Sequence, residues 1–214
     1  MSAIANAPLP TRAHTPEPAP APAAQAGDPA VLGLPMFVVG SIALALALVG
    51  YVSPAAAGSA VPIILAATGL GLLVSAIWAA ALGQTLVACI FGMFAGFWWS
   101  YSVLVLGLNH NWFAIPAADV TDSVALFQIS WAVVMGVLTL ATLRLPVAFT
   151  AVVGLVVVAL VLLVFGTTNA DETLTKAAGY VTFAFAAIGI YLFLGAASAA
   201  TGGKSYPLGR PIVR

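Results

Sequence analysis

Six uncharged apolar stretches follow one another along this chain, at about residues 33–53, 61–82, 85–107, 123–143, 146–166 and 177–200. Each has roughly the ~20 residues with which a helix crosses a ~30 Å hydrocarbon core. A backbone placed in lipid must satisfy its own polar groups, which a helix does and an open strand does not. The expected fold is therefore an all-α integral membrane protein with six transmembrane helices. A soluble fold is excluded by the same feature: 6% of the 214 residues are charged, against about 25% in an ordinary soluble domain. The breaks between the stretches carry helix-ending residues: Ser53-Pro54 with Gly58-Ser59, Gly83-Gln84, Asn109 to Asp122 with Pro116, Arg144 to Pro146, and Gly166 to Thr175.

Outside the spans the chain is short of bulk. The first 30 residues hold seven of the fourteen prolines, interleaved with alanine, and residues 1–27 read as a disordered, partly polyproline-like tail. No basic segment leads straight into an apolar run near Met1, so the tail is expected to stay on the mature protein. Residues 28–203 form the membrane domain and 204–214 a second tail. With an even number of spans, both tails and the turns at 83–84 and 144–146 share one side, which carries Arg12, Arg144, Lys204, Arg210 and Arg214. The opposite side carries Lys176 alone among basic residues. Short basic loops stay in the cytoplasm, so both termini are expected inside, in a multi-pass protein of the cell membrane, most simply a bacterial inner membrane.

The chemistry the spans can support is narrow. No Asp, Glu, Lys, Arg or His falls within them, which removes the buried carboxylate relay of a pump. His14 lies in the tail and His110 in a loop, and no HExxH, paired-carboxylate or Cys-His arrangement is present. No metal, cofactor or enzymatic activity is expected. Six basic residues against six acidic ones leave no net charge, so nothing favours nucleic acid as a partner. Cys89 is a lone thiol in apolar surroundings, better suited to packing than to reaction.

The third span is the most informative. In GQTLVACIFGMFAGFWWSYSVL, helical spacing puts Thr85, Cys89, Gly92, Gly96 and Ser100 near one face and Phe94, Phe97, Trp98 and Tyr101 on another stripe. Gly92-x-x-x-Gly96 allows close helix packing, and helix packing is the reading that an isolated GxxxG favours over a solute path. The sixth span repeats the theme with Gly179, Thr182, Ala186 and Gly189. Polar groups that can meet a solute are neutral: Ser41, Thr68, Ser75, Gln84, Thr85, Ser100, Asn109, Gln128 and Ser130. At the start of the first span, Asp28 is typed as a helix N-cap and Pro29 as the first helical residue. Gly33 and Pro35 leave room for an irregular first turn with free backbone donors.

Here the residues take on a family likeness. DPAVLGLPMF, from Asp28 to Phe37, resembles the N-P-x-P-L-G-L signature of the acetate uptake (succinate/acetate) transporter family. GQTLVACIFGMFAGFWWSY is similar to its G-N-T-F stretch and the Phe-x-Ser-Tyr-Gly-x-Phe-Trp segment that follows. TLRLPVAFTAV is similar to its connection between the fourth and fifth helices, and Tyr206-Pro207-Leu208-Gly209 to its L-P-x-G tail. The resemblance implies a six-helix subunit of a homo-oligomeric ring, typically a hexamer, in the lipid bilayer. It also implies a path for acetate and other small carboxylates through each protomer, proton-coupled in some members and channel-like in others. By motif position the family's constriction falls on Phe37, Phe94 and Val156. Asp28, Pro29, Gly33, Leu34, Thr85, Gly92, Gly96, Phe97 and Trp98 are motif positions and candidate solute contacts.

The chain departs from the pattern where polarity matters. The opening Asn is Asp28, the second Pro is Val31 and the third-helix Tyr is Phe94. The family's Gln and Glu of the second helix fall near Leu72 and Ala79, both apolar. A conduit for acetate and related monocarboxylates is the leading expectation. A scaffold carrying another small solute, such as ammonia or urea, is the alternative that the lost polar groups favour, and a non-conducting membrane interaction protein is the third.

Overall fold

The computed structural model describes residues 27–213; the N-terminal tail expected over 1–27 lies outside the described residues except for Gly27. Among the described residues all regular structure is helical, and six helical segments are long and apolar enough to cross a membrane. They contain α1 (Ala30–Leu48), α2 (Leu70–Ala81), α3 (Thr85–Asn109), α4 (Val120–Ala141), α5 (Val147–Thr168) and α6 (Glu172–Ala200).

The second span departs most from expectation. It enters through a 3-10 turn, Pro54–Ala60, and a π-helical stretch, Ile63–Gly69, before becoming α2. Widening the helix displaces carbonyls from their usual i→i+4 partners, and the Trp99 indole N–H of α3 donates to one of them, Leu65 O, at 3.2 Å. Elsewhere only the bounds shift. α1 starts earlier than expected because Asp28 Oδ1 accepts from the Ala30 N–H at 2.9 Å. α6 starts at Glu172, with Asp171 Oδ1 accepting from the Thr173 and Leu174 N–H groups at 2.8 and 3.2 Å. Gly166, expected to break the fifth span, sits inside α5, where a Cβ would stand 2.7 Å from Thr175 Oγ1. It lets the start of α6 close against α5.

Helix ends are closed by paired back-bonds. After α1, Gly50 (φ 85°) accompanies Tyr51 N–H to Leu46 O at 3.0 Å, and after α2, Gly83 (φ 72°) accompanies Gln84 N–H to Ala79 O at 2.9 Å. This Schellman geometry wants a left-handed residue, for which glycine carries no Cβ penalty. After α5 the same role falls to Ala170, at φ 51°, with Asp171 N–H on Gly166 O at 2.9 Å.

In space the helices run α3–α2–α1–α6–α5–α4, each packed on the next, and the circle closes where α4 meets α3 again. That last seam has few close backbone approaches. Aromatic side chains fill it: Phe97 lies 5.8 Å from Phe127 and 5.5 Å from Trp131 between ring centres. Gly27, Gln84, Leu145 and the chain after Gly203 gather at one end, with Arg144, Lys204 and Arg210. We call this the basic end. The other, acidic end carries Asp119, Asp122, Asp171 and Glu172, with Lys176 3.3 Å from Glu172. At the basic end the chain after α6 is strapped back: Leu208 O accepts from the Ala148 N–H at 3.1 Å, and Tyr191 Oη donates to Pro207 O at 2.8 Å.

Candidate solute pathway

α1, α3, α5 and α6 enclose the axis of the circle, and the space between them is a chain of cavities. From the acidic end, a mouth of about 680 Å³ leads to a chamber of about 290 Å³, sharing Leu44, Leu48, Tyr101, Thr167 and Thr175 with it. The chamber shares Leu44, Phe97, Leu160 and Leu163 with a void of about 20 Å³. That void has room for about one water. On its far side Phe37 and Phe94 separate it from a cavity of about 190 Å³ at the basic end, to which both also belong.

The two rings meet edge to face, with centres 4.9 Å apart, and Phe185 of α6 braces Phe37 from 5.6 Å. All three are 3–4% exposed, so the axis is shut at this level. An aromatic contact of this kind is worth about 0.5–1.5 kcal/mol beyond the area it buries, so the two contacts Phe37 makes with Phe94 and Phe185 add to the cost of swinging it aside.

Of the residues singled out by sequence, Phe37, Phe94, Val156, Phe97 and Trp98 all line the central void, while Asp28 and Leu34 line the basic-end cavity. Trp98 is 1% exposed and its indole N–H has no hydrogen-bond partner. Leu72, where the family resemblance puts a polar residue, faces the basic-end cavity.

Other expectations are corrected. Thr85 is exposed at the first residue of α3 and lies off the cavities; because the chain reverses at Gly83, its neighbour Gln84 faces the basic-end cavity instead. The first turn of α1 offers no free donors near Gly33: the Val31, Leu32 and Gly33 N–H groups are bonded to Asp28 O, Pro29 O and Pro29 O at 3.1, 3.2 and 2.9 Å. Gly33 instead makes room for the Phe91 ring, 2.5 Å from where a Cβ would sit, and Pro29 is fully buried. Within the chain Gly92 and Gly96 are not sites of close approach, since a Cβ would find Ala76 at 3.8 Å and Trp131 at 3.5 Å. The stripe of small residues that they share with Thr85, Cys89 and Ser100 faces away from the axis, and Thr85, Cys89 and Ser100 are exposed on the single chain.

Most hydroxyls within the spans are spent on their own helices. Ser41, Ser75, Ser102 and Thr182 donate to the carbonyls of Phe37, Gly71, Trp98 and Ala178, four residues back, at 2.7–2.9 Å. Thr68 is fully buried and packs against Gly40, off the cavities. Among the described residues, the polar groups that remain on the path are Asp28 and Gln84 at the basic end, Trp98 and the Thr182 oxygen at the void, and Tyr101, Gln128, Thr167 and Thr175 in the chamber. Gln128 was one of nine neutral polar residues noted in the sequence and Phe185 had no distinguishing signal there; each faces the path only because α4 and α6 lie where they do.

Fold and cavities together define a multi-pass membrane protein of the six-helix kind, with a succession of cavities along the axis of the helix circle and an aromatic closure between them. The sequence pattern of the GPR1/FUN34/yaaH family matches residues 11–212. The chain belongs to that family, the acetate transporter family whose motifs it carries in order. Among solved structures it is similar in fold to the bacterial acetate channel SatP, at TM-score 0.75 and 22% identity over 86% of this chain and 99% of that one. No curated protein matches at the level of sequence.

Proposed function

We propose that the protein conducts acetate and related short monocarboxylates along the axis of each protomer, across the inner membrane of a bacterial cell. Both termini lie in the cytoplasm and the protomer is one subunit of a homo-oligomeric, hexameric ring. It acts as a conduit and carries out no bond-making chemistry. Family membership and the likeness to an acetate channel support this reading. The observation that carries it is the Phe37–Phe94 closure between two cavities on one axis.

The physical argument concerns what such a neck admits. Hydrated inorganic ions reaching a phenyl-lined constriction lose water that nothing replaces, and an ion stripped in an apolar setting is strongly disfavoured. A short organic acid arrives with a methyl end that wets the rings and a polar end small enough to be served by one or two donors. The unpartnered Trp98 N–H supplies one beside the neck. Phe37, Phe94 and Val156 thus form the constriction, Trp98 a neutral hydrogen-bond donor, and Gln84 a polar group at the basic-end cavity.

The test is labelled-acetate uptake into proteoliposomes. Phe37→Ala and Phe94→Ala are each expected to raise flux severalfold and to let larger acids and inorganic anions through; unchanged flux and selectivity in both variants would remove these rings from the gate. Acidification of the lumen above that of protein-free vesicles tests whether a proton travels with the solute. The uncharged lining of the void and the chamber also favours a second reading, a conduit for ammonia or urea, and the same vesicles challenged with those solutes decide between the two.

A further inference from the structure

We infer that the chamber between α3, α4 and α5 is a binding site for a short carboxylic acid in its undissociated, uncharged form, with Gln128 as the recognising side chain. The inference rests on the proposed acid transport and specifies which protonation state the path takes up. Gln128 lies on α4 within an apolar span, 7% exposed, and lines the chamber of about 290 Å³. Its Nε2 stands 3.0 Å from Thr167 Oγ1 of α5, while Oε1 has no partner. A bond between helices accounts for one end of the carboxamide. It does not account for the other end, which is buried and unsatisfied beside open space, a costly arrangement unless something enters to complete it.

The chemistry of the entrant follows from what surrounds it. Whichever way the amide is turned, one of its polar atoms meets Thr167 and the other is left over. An undissociated acid carries both an O–H donor and a C=O acceptor and completes either arrangement; a carboxylate, which only accepts, completes one. Among the described residues no cation lines the chamber; Tyr101 of α3 is the only titratable group there, and α1, α4, α5 and α6 bring none. The adjoining mouth holds Asp171 and Glu172 against Lys176, whose ammonium is already 3.3 Å from Glu172. An anion therefore meets two carboxylates on the way in and no positive partner on arrival. The acid forms in bulk water, carboxylate plus one proton, and carries that proton with it, so no group of the protein has to titrate.

Acetamide has the shape of acetic acid, the same donor-and-acceptor character and no charge at any ordinary pH; methanesulfonate is a permanent anion of similar size. In proteoliposomes of the full chain, acetamide is expected to inhibit labelled-acetate uptake and methanesulfonate to leave it unchanged. Gln128→Leu is expected to raise the acetamide concentration needed for half-inhibition about threefold to tenfold, the worth of one net hydrogen bond. Inhibition by methanesulfonate without inhibition by acetamide would overturn the inference, as would equal acetamide sensitivity in wild type and a Gln128→Leu variant that elutes as the same oligomer. Saturation-transfer NMR of acetamide on the purified protein reads the chamber without any flux. Acetamide signal that is lost in Gln128→Leu supports the site even in a protein that moves no acetate, and absence of signal from the wild type counts against it. A wild type that fails to move acetate would sink the transport reading separately.

Discussion

At the scale of single residues, the small side chains that crowd these helices divide into two groups that the sequence does not distinguish. Gly40 and Gly92 both sit in apolar helices, yet a Cβ on Gly40 would collide with the Thr68 side chain, with Cγ2 at 2.8 Å, whereas one on Gly92 finds only Ala76 at 3.8 Å. Thr68 is fully buried and has nowhere to retreat. Gly40→Ala is therefore expected to destabilise the protein by about 1–3 kcal/mol through overpacking. Gly92→Ala is expected to stabilise it by about 0.5–1 kcal/mol, because it removes backbone freedom from the unfolded chain and fits the space available. Thermal melting of the detergent-solubilised variants checks both, and shifts of the same sign would contradict the packing described. Within the chain the GxxxG glycines meet no close neighbour, because spacing reports which residues share a face and says nothing of what stands opposite. Phe37, Phe94 and Trp98 were legible for the converse reason: motif order alone put them together, and the fold sets them around one void.

At the scale of elements, six spans were readable because a bilayer enforces length and apolarity, and their ends moved by a few residues wherever a cap lay outside the apolar run. The π-helical opening of the second span was not readable. Its sequence, IILAATG, is as apolar as an α-helix and differs only in the register of its hydrogen bonds. What holds that register is a partner on another helix, Trp99, whose N–H reaches Leu65 O. Gly69 lies directly beneath the Trp99 indole, leaving no room there for a side chain. Trp99→Phe keeps most of the ring and deletes the donor, so it is expected to cost about 1 kcal/mol, the usual net worth of such a bond, and to speed amide exchange through residues 63–69. A melting temperature and exchange pattern equal to wild type would show that the π segment is held by its own packing instead. A second element-level expectation concerns Ala170, which closes α5 in the left-handed region at φ 51°. Ala170→Gly relieves a Cβ strain of about 1 kcal/mol, and the gain is again read as a rise in melting temperature.

At the scale of the whole molecule, the order of helices around the axis converts scattered neutral residues into a path. Gln128 and Thr167 are 39 residues apart in sequence and share a hydrogen bond only because α4 packs on α5; no periodicity within either span announces it. The two ends of that path are chemically unlike. The basic end presents Arg144, Lys204 and Arg210 on short connections and the strapped chain terminus, while the acidic end presents Asp119, Asp122, Asp171, Glu172 and a Lys176 committed to Glu172. Basic residues in short loops are retained in the cytoplasm, so in the proposed orientation the aromatic closure would be reached from outside through the mouth and the Gln128 chamber, and from inside through the Gln84 cavity. The arrangement is open to direct test because Cys89 is the only cysteine. In a Cys89→Ser background, Lys176→Cys is expected to react with a membrane-impermeant maleimide on intact cells, and Lys204→Cys only after permeabilisation. The opposite pattern would invert the molecule, setting the acidic mouth against the cytoplasm and making the Gln128 chamber a site for exported acid.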